Sequence, residues 1–389
     1  MESEKVPTLG PLALLKGTFI STGFNQIFRP KSKSSKTKFK NAITSKEIDD
    51  NIMQLNLTSE VLTFFDPLGE IPNRGFDGQP DTFLNGIPYT QQIKDATNVD
   101  TGKGDLPGER DGIHFETGIW LFVPASTDTP KQDAELVRMA SIPHGTTISA
   151  RGPAKPEETT AAPSFKRVDI TPTAQGRQQK PSQDVGNAST SRLPQDLKKF
   201  VDAGTITDAI LKNPNTVLQN ANEGKDIKQT ISFSVTSNVP LRDNLGRIDG
   251  DGDADITNIP FLRGPPLEVN VPEQGSMKFL KSSNALVTTV TATLWISTVA
   301  SKITVPAFTA DQQPILLKPV NAKEGAPTPV FRITPDRGLS AAKTVTVFSS
   351  QIQYSQNVVL RFRGIDWPHV SVATLVPKDP IDVPASALK

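Results

Sequence analysis

Apolar and polar residues alternate with a period of two along most of the chain, and this pattern predicts half-buried β-strands. Gly, Pro or Asn borders each alternating segment, as is typical where a strand meets a turn. The segment 134–152 is predicted to form two strands joined at Pro143, His144 and Gly145. The predicted strand segments are 17–28, 52–65, 87–98, 112–124, 134–152, 227–239, 284–299, 344–362 and 368–377.

One long stretch interrupts the strands. Residues 151 to about 194 are rich in Pro, Thr, Gln, Ser and Lys, which bury too little apolar surface to order themselves alone. Residues 193–224 carry apolar side chains at helical spacing and predict the only helical region, with breaks at Pro214 and Gly224. Many strands with one helical insert indicate an antiparallel barrel or sandwich.

Strands on both sides of the insert favour one domain over two sequential ones. We therefore predict a mainly β protein, a single antiparallel up-and-down β-barrel with long loop insertions and one helical insert. Its first half is 1–150, the low-complexity and helical insertion is 151–225, and its second half is 226–389.

Composition narrows the function classes. The absence of cysteine removes disulfides, zinc–thiolate sites and a cysteine nucleophile. The 41 acidic and 42 basic residues nearly cancel, so no overall field favours nucleic acid or an anionic membrane. No apolar run approaches the roughly 20 residues of a membrane-spanning helix, and the N-terminus is a poor secretory signal. We expect a cytoplasmic protein with no nucleic-acid partner and no membrane span; the composition does not determine the oligomeric state.

The three histidines are the candidate chemistry. An isolated histidine is more often a hydrogen-bonded structural residue than a ligand. His369 differs because it follows Trp367 and Pro368 and opens a strand in "WPHVSVATLV". Alternation places His369 and Ser371 on one strand face with other small residues, which leaves room for a flat macrocycle beside an imidazole ligand.

Four segments, in order, resemble the nitrobindins, small haem-binding β-barrels related to the lipocalins and fatty-acid-binding proteins. The segments are "LLKGTFISTG", "GIHFETGIWLFVP", "ELVRMASIPHGTTISARG" and "YSQNVVLRFRGIDWPHVSVATLV". Phe19 stands where the family has Trp, Ser21 replaces a glycine, and Pro143 and His144 stand in reversed order. The segments "LNLTSE", "IPNRG", "ETGIWL" and "WPHVSVATL" are also similar to a longer fungal and bacterial group that carries the label haem-binding protein.

This resemblance implies haem b in the mouth of the barrel. His369 would be the iron ligand, with Trp367 and Ser371 beside the haem. His144 is a second cofactor candidate, although a turn histidine is more often structural. The resemblance to nitrobindins also implies chemistry on peroxynitrite, nitric oxide or peroxide at ferric haem. An isomerase or peroxidase-like activity of this protein is therefore a hypothesis. His114 is interpreted as a structural strand residue, with Glu116 as its hydrogen-bond partner.

A weaker metal signal lies in "DGDGDADITN", where Asp249, Asp251 and Asp253 alternate as in hard-cation loops. The calcium-loop pattern requires Gly and Glu at the positions that Ala254 and Pro260 occupy. This mismatch favours a solvated acidic turn over a calcium site. The basic run 29–40 is interpreted as a solvated loop.

Two other functions are alternatives to the haem-binding hypothesis. The first is a lipocalin-like barrel that binds an apolar small molecule without catalysis. The second is a structural or interaction barrel with a filled interior, which Trp120, Trp295 and Trp367 turned inward would favour.

Overall fold

Ten strands of the described chain close into an antiparallel β-barrel. The computed structural model describes residues 8–29, 52–75, 80–126, 131–143, 146–168, 170, 173–174, 177–178, 197–237, 267–271, 275–279, 286–362 and 365–388. The barrel strands are β1 (Gly17–Arg29), β2 (Ile52–Phe64), β3 (Thr82–Asp95), β4 (Gly112–Val123), β5 (Glu135–Ile142), β6 (Thr146–Pro153), β7 (Asp226–Thr236), β8 (Leu286–Val305), β9 (Lys343–Phe362) and β10 (Ile365–Pro377). They pair in chain order, and β1 pairs with β10. The predicted up-and-down barrel is confirmed.

Smaller elements decorate this barrel. Three α-helices lie within the predicted helical region: α1 (Lys198–Asp202), α2 (Asp208–Lys212) and α3 (Thr216–Asn222). Two 3₁₀ helices span Gly10–Leu14 and Ala385–Leu388. The remaining short strands are Ile71–Asn73, Glu157–Thr159, Thr173–Ala174, Arg177–Gln178, Leu267–Val271, Gly275–Phe279, Ile315–Leu317, Phe331–Ile333 and Ile381–Asp382. None of the helices in the described ranges is both long and apolar enough to cross a membrane.

Large apolar side chains fill one end of the barrel. Because strand side chains alternate between faces, every second residue of each strand points into the barrel interior, the lumen. Leu12 and Leu15, from and just after the first 3₁₀ helix, are fully buried in the same apolar cluster as Phe19 and Trp120. Trp120 packs edge-on against Phe233, with ring centroids 5.6 Å apart. The N-terminal segment therefore plugs this end.

The helical insert covers the outer wall of the barrel. A second apolar cluster joins Phe24, Leu55 and Val370 on β1, β2 and β10 to Phe200 and Leu218 on the helices. Helices of five to seven residues are not stable alone, and the barrel wall supplies the apolar surface against which they pack. Covering the wall in this way buries strand faces that would otherwise meet water.

A third apolar cluster lies beyond the plugged end. β8 and β9 are each 20 residues long. After Ala300 in β8 and before Ile352 in β9, these two strands pair with each other and with no other barrel strand. Ile303 and Val345 on this ribbon pack against Phe331, from one of the short strands. The ribbon with its short strands forms a small module at the end of the barrel.

One polar residue, Gln26, is buried among apolar side chains where the insert packs against the barrel wall. Gln26 of β1 is fully buried, and its register partners are the apolar Leu55 and Val370. Within the described residues, neither its amide nitrogen nor its amide oxygen has a hydrogen-bond partner. A buried amide without partners costs free energy of folding.

We expect Gln26→Met to stabilise the protein by about 1 kcal/mol, because methionine keeps the side-chain volume and removes the unpaired amide. The matched control is Gln353→Met. Gln353 is equally buried, but it donates to Thr374 Oγ1 at 2.8 Å and to the Leu218 carbonyl at 3.1 Å. Urea unfolding should show a higher midpoint for the first variant and a lower one for the second. A lower midpoint for Gln26→Met would contradict the prediction.

Candidate functional site

A belt of buried polar side chains crosses the middle of the lumen, above the apolar plug. Its members are all at inward-facing positions of β1 to β5 and β9. They are Ser21, Glu60, Tyr89, Gln91, Glu116, Arg138, Tyr354 and Gln356. Charged groups are rarely buried unless they are paired, so this polar belt identifies the region where the barrel departs from simple packing.

One half of the polar belt is an ion pair between neighbouring strands. Arg138 Nη2 lies 2.7 Å from Glu116 Oε1, and the guanidinium also donates from Nε to the Tyr89 oxygen at 2.8 Å. The Tyr89 hydroxyl donates to the same Glu116 oxygen. His114 Nε2 lies 3.3 Å from Glu116 Oε2, so the predicted partnership between these two residues is present. Glu116 thus has three partners for its two oxygens.

These partners determine the ionisation of the pair. Burial would raise the pKa of Glu116, but the Arg138 charge and the hydrogen bonds from His114 and Tyr89 outweigh it and lower the pKa to about 2. Burial opposes the charge on Arg138, yet the Glu116 carboxylate raises the pKa of the guanidinium above its ordinary value. Burial raises the pKa of Tyr89 well above 10, which keeps the phenol neutral.

The other half of the polar belt is built around Glu60 on β2. Gln91 Nε2 donates to Glu60 Oε1 at 2.6 Å, and the Tyr354 hydroxyl donates to Oε2 at 2.9 Å. Ser21 Oγ adds a longer bond of 3.3 Å. Burial raises the pKa of Glu60, and these neutral donors only partly oppose the shift. Glu60 and Glu116 therefore have pKa values displaced in opposite directions.

Three hydrogen bonds of the polar belt span the lumen, and one of them runs from Gln91 Nε2 on β3 to the Tyr354 oxygen on β9 at 3.2 Å. Arg138 Nη1 on β5 donates to Gln356 Oε1 on β9 at 2.6 Å, and Tyr354, also on β9, reaches Glu60 on β2. These strands are not neighbours in the sheet. The bonds therefore join opposite walls and close the lumen at this level.

A cavity of about 30 Å³ remains beside the polar belt. Its wall contains Leu62, Phe64, Tyr89, Gln91, Trp120, Arg138, Ala292, Leu294, Ile352, Tyr354 and Gln356. A single water needs roughly 10–15 Å³ by this measure, whereas small-molecule sites enclose about 300–1,000 Å³. Haem does not fit in this cavity, and His369 is not part of its wall.

His369 lies at the opposite end from the plug, which we call the mouth (His369, Ser371, Asn25 and Val358). It shares a strand face with Ala373 and Leu375 of the lumen cluster and pairs in register with Val358 of β9. Its side chain is half-buried. Asn25 Nδ2 donates to Ser371 Oγ at 2.7 Å, so Ser371 is engaged by β1.

The three tryptophans have different surroundings. Trp120 is in the lumen cluster, as a filled interior requires. Trp295 and Trp367 belong instead to the cluster between the barrel wall and the insert, and Trp367 is fully buried there. Trp367 therefore packs in the cluster that includes the insert residues. Inward placement of all three tryptophans would favour a filled interior, and only Trp120 lies in the lumen cluster.

The other predicted ligands fall outside the described residues. These are His144 and the acidic residues Asp249, Asp251 and Asp253, and the same holds for most of the basic run 29–40. Among the residues that the structure does describe, no group of three or more His, Asp or Glu side chains could hold a metal ion.

The polar belt was not predicted from the sequence, apart from Glu116 and its partner His114. A local signal existed for Arg138, because it occupies an inward position between apolar residues in "ELVRMASI". An inward charge on a strand requires an opposite charge nearby, which the register then brings from β4. Comparison with protein-family models and with curated proteins finds no match to this chain.

Proposed function

We propose that the protein binds haem b at the mouth of the barrel, with His369 as the iron ligand. One observation carries this proposal: His369 is half-buried on the inward face of the last strand, at the end opposite the plug. An imidazole at such a position suits axial ligation of haem iron.

Further support comes from the apolar neighbours of His369. Val358 and Leu360 face inward on β9 near the mouth and are only partly buried. Apolar side chains with remaining exposure can contact the face of a macrocycle. The closed polar belt below would keep a bound haem at the mouth. Bound ferric haem would supply the chemistry with peroxynitrite, nitric oxide or peroxide that the nitrobindin resemblance implies.

A hemin titration tests the proposal. We expect a saturable Soret band for the unmodified protein and a lost or shifted band for His369→Ala. The affinity should fall by more than the roughly 10- to 100-fold that loss of an outer-shell partner costs. His144→Ala and His114→Gln are the comparison variants. Loss of the band with His144→Ala and not with His369→Ala would assign the ligand to His144 instead.

A second candidate is an interaction barrel with a filled interior. The hydrogen bonds from Arg138 to Gln356 and from Tyr354 to Glu60 favour it, because they leave no ligand-sized space between the walls. The same small cavity weighs against a lipocalin-like site for an apolar molecule inside the lumen. Absence of saturable hemin binding, together with no binding of a fluorescent fatty acid, would favour this candidate over haem binding.

A further inference from the structure

Three polar side chains on the cavity wall have unused hydrogen-bonding capacity. Gln91 uses its Nε2 for Glu60 and Tyr354, and no described residue donates to its Oε1. Gln356 accepts through Oε1 from Arg138, and no described residue accepts from its Nε2. Arg138 has five N–H groups, of which three bond to Tyr89, Gln356 and Glu116.

Buried polar groups are nearly always hydrogen-bonded, to protein or to ordered water. Gln91, Arg138 and Gln356 are each less than one-tenth exposed, and all three line the same cavity. Their unused atoms comprise one acceptor, Gln91 Oε1, and several donors on the other two residues. A ligand that both donates and accepts hydrogen bonds satisfies this combination.

Size and charge narrow the class of ligand. The cavity of about 30 Å³ has room for two waters, because each water needs roughly 10–15 Å³. The Arg138 charge is already balanced by Glu116 at 2.7 Å. An added anion would be repelled by Glu116, and an added cation would be repelled by Arg138. The site therefore favours a neutral ligand.

We propose that the cavity is a hydrated site that binds two water molecules between Gln91, Arg138 and Gln356. The waters complete the polar belt and link its Glu60 half to its Arg138 half. Ligands other than water are limited to neutral hydrogen-bonding molecules of similar size. This site is separate from the mouth and does not depend on haem binding.

High-resolution crystallography of the full chain, with and without pressurised xenon, tests the proposal. We expect two ordered waters in the cavity and no xenon, because xenon enters dry apolar cavities. In solution, magnetic relaxation dispersion of water nuclei should count the same two long-lived waters. A cavity without ordered water, or one that xenon enters, would overturn the proposal.

A pair of variants on β8 gives the matched control. Ala292 lines the cavity, whereas Ala300 lies on the same strand away from it. Ala292→Val adds apolar volume to the cavity without removing a polar group, so we expect one or both waters to be lost. Ala300→Val should retain both. Retention of both waters in Ala292→Val would place them elsewhere and overturn the assignment; if that variant does not fold, the xenon and water measurements on the unmodified protein decide alone.

Discussion

Arg138→Met should destabilise the barrel by about 3–5 kcal/mol, the cost of breaking a buried ion pair from one side. The substitution leaves the Glu116 carboxylate, which is fully buried, without its positive partner. It also removes the donors to Tyr89 and Gln356. Because the free energy of unfolding of a domain is only about 5–15 kcal/mol, this loss is a large part of the total stability.

Urea unfolding monitored by circular dichroism measures this loss. The control is Arg151→Met, which breaks an Arg–Glu pair of similar geometry at the surface. Arg151 Nη2 lies 2.6 Å from Glu135 Oε2, but both side chains are at least one-third exposed. Solvent screening limits such a pair to about 0–1 kcal/mol. Equal losses for the two variants would show that burial adds nothing to the Arg138 pair.

The double variant Arg138→Met with Glu116→Gln separates the two causes of the loss. Removing the carboxylate charge as well eliminates the unpaired ion, so the double variant should lose less than the sum of the single variants. Additive losses would indicate that Arg138 acts through packing against the rings of Tyr89 and Trp120, each centred 5.6 Å from its guanidinium.

Acid should remove about 3 kcal/mol of stability through Glu116 alone. Its pKa is about 2 in the folded protein against an ordinary value of 4.5, and each unit corresponds to about 1.4 kcal/mol. A lowered pKa contributes stability above the unfolded pKa and loses it as the pH falls through the folded one. The loss is therefore expected between pH 4.5 and pH 2. The stability difference between the unmodified protein and Glu116→Gln should shrink over this interval.

Glu60 provides a control for which the pH dependence of stability has the opposite sign. Burial raises its pKa, so its contribution is present below the unfolded pKa and is lost as the pH rises through the folded value. Relative to Glu60→Gln, the unmodified protein should therefore become more stable on acidification. Urea unfolding at a series of pH values measures both differences. If the Glu116→Gln difference does not change between pH 4.5 and pH 2, its carboxyl has an ordinary pKa in the folded protein.

The fold could be predicted because the relevant signal is local. Each predicted strand segment overlaps a barrel strand, from 17–28 with β1 to 368–377 with β10. Alternation within one strand reports which side chains are buried together, and turn residues report where the strand ends. The face shared by His369, Ser371, Ala373 and Leu375 was predicted for the same reason.

The polar belt could not be predicted because it depends on register among distant strands. Gln91 faces Leu62 on one side and Glu116 on the other, and only these pairings bring Glu60 and Glu116 into one belt. The bonds from Arg138 and Glu60 to β9 connect residues 218 and 294 positions apart. The outward position of Trp295 could not be predicted either, because the outer wall that the insert covers is lined by apolar side chains, as the lumen is.

The pairing of the first and last strands has a consequence for biosynthesis. Asn25 and Ser371, which bond across β1 and β10, are 346 residues apart in the chain. On the ribosome, one edge of β1 therefore stays unpaired until β10, more than 300 residues later in the chain, has been synthesised. Contacts of such high sequence separation form slowly, and unpaired strand edges promote aggregation in the meantime. Any chain that terminates before residue 365 would keep both edges open, so a late premature stop should yield insoluble protein rather than a smaller barrel.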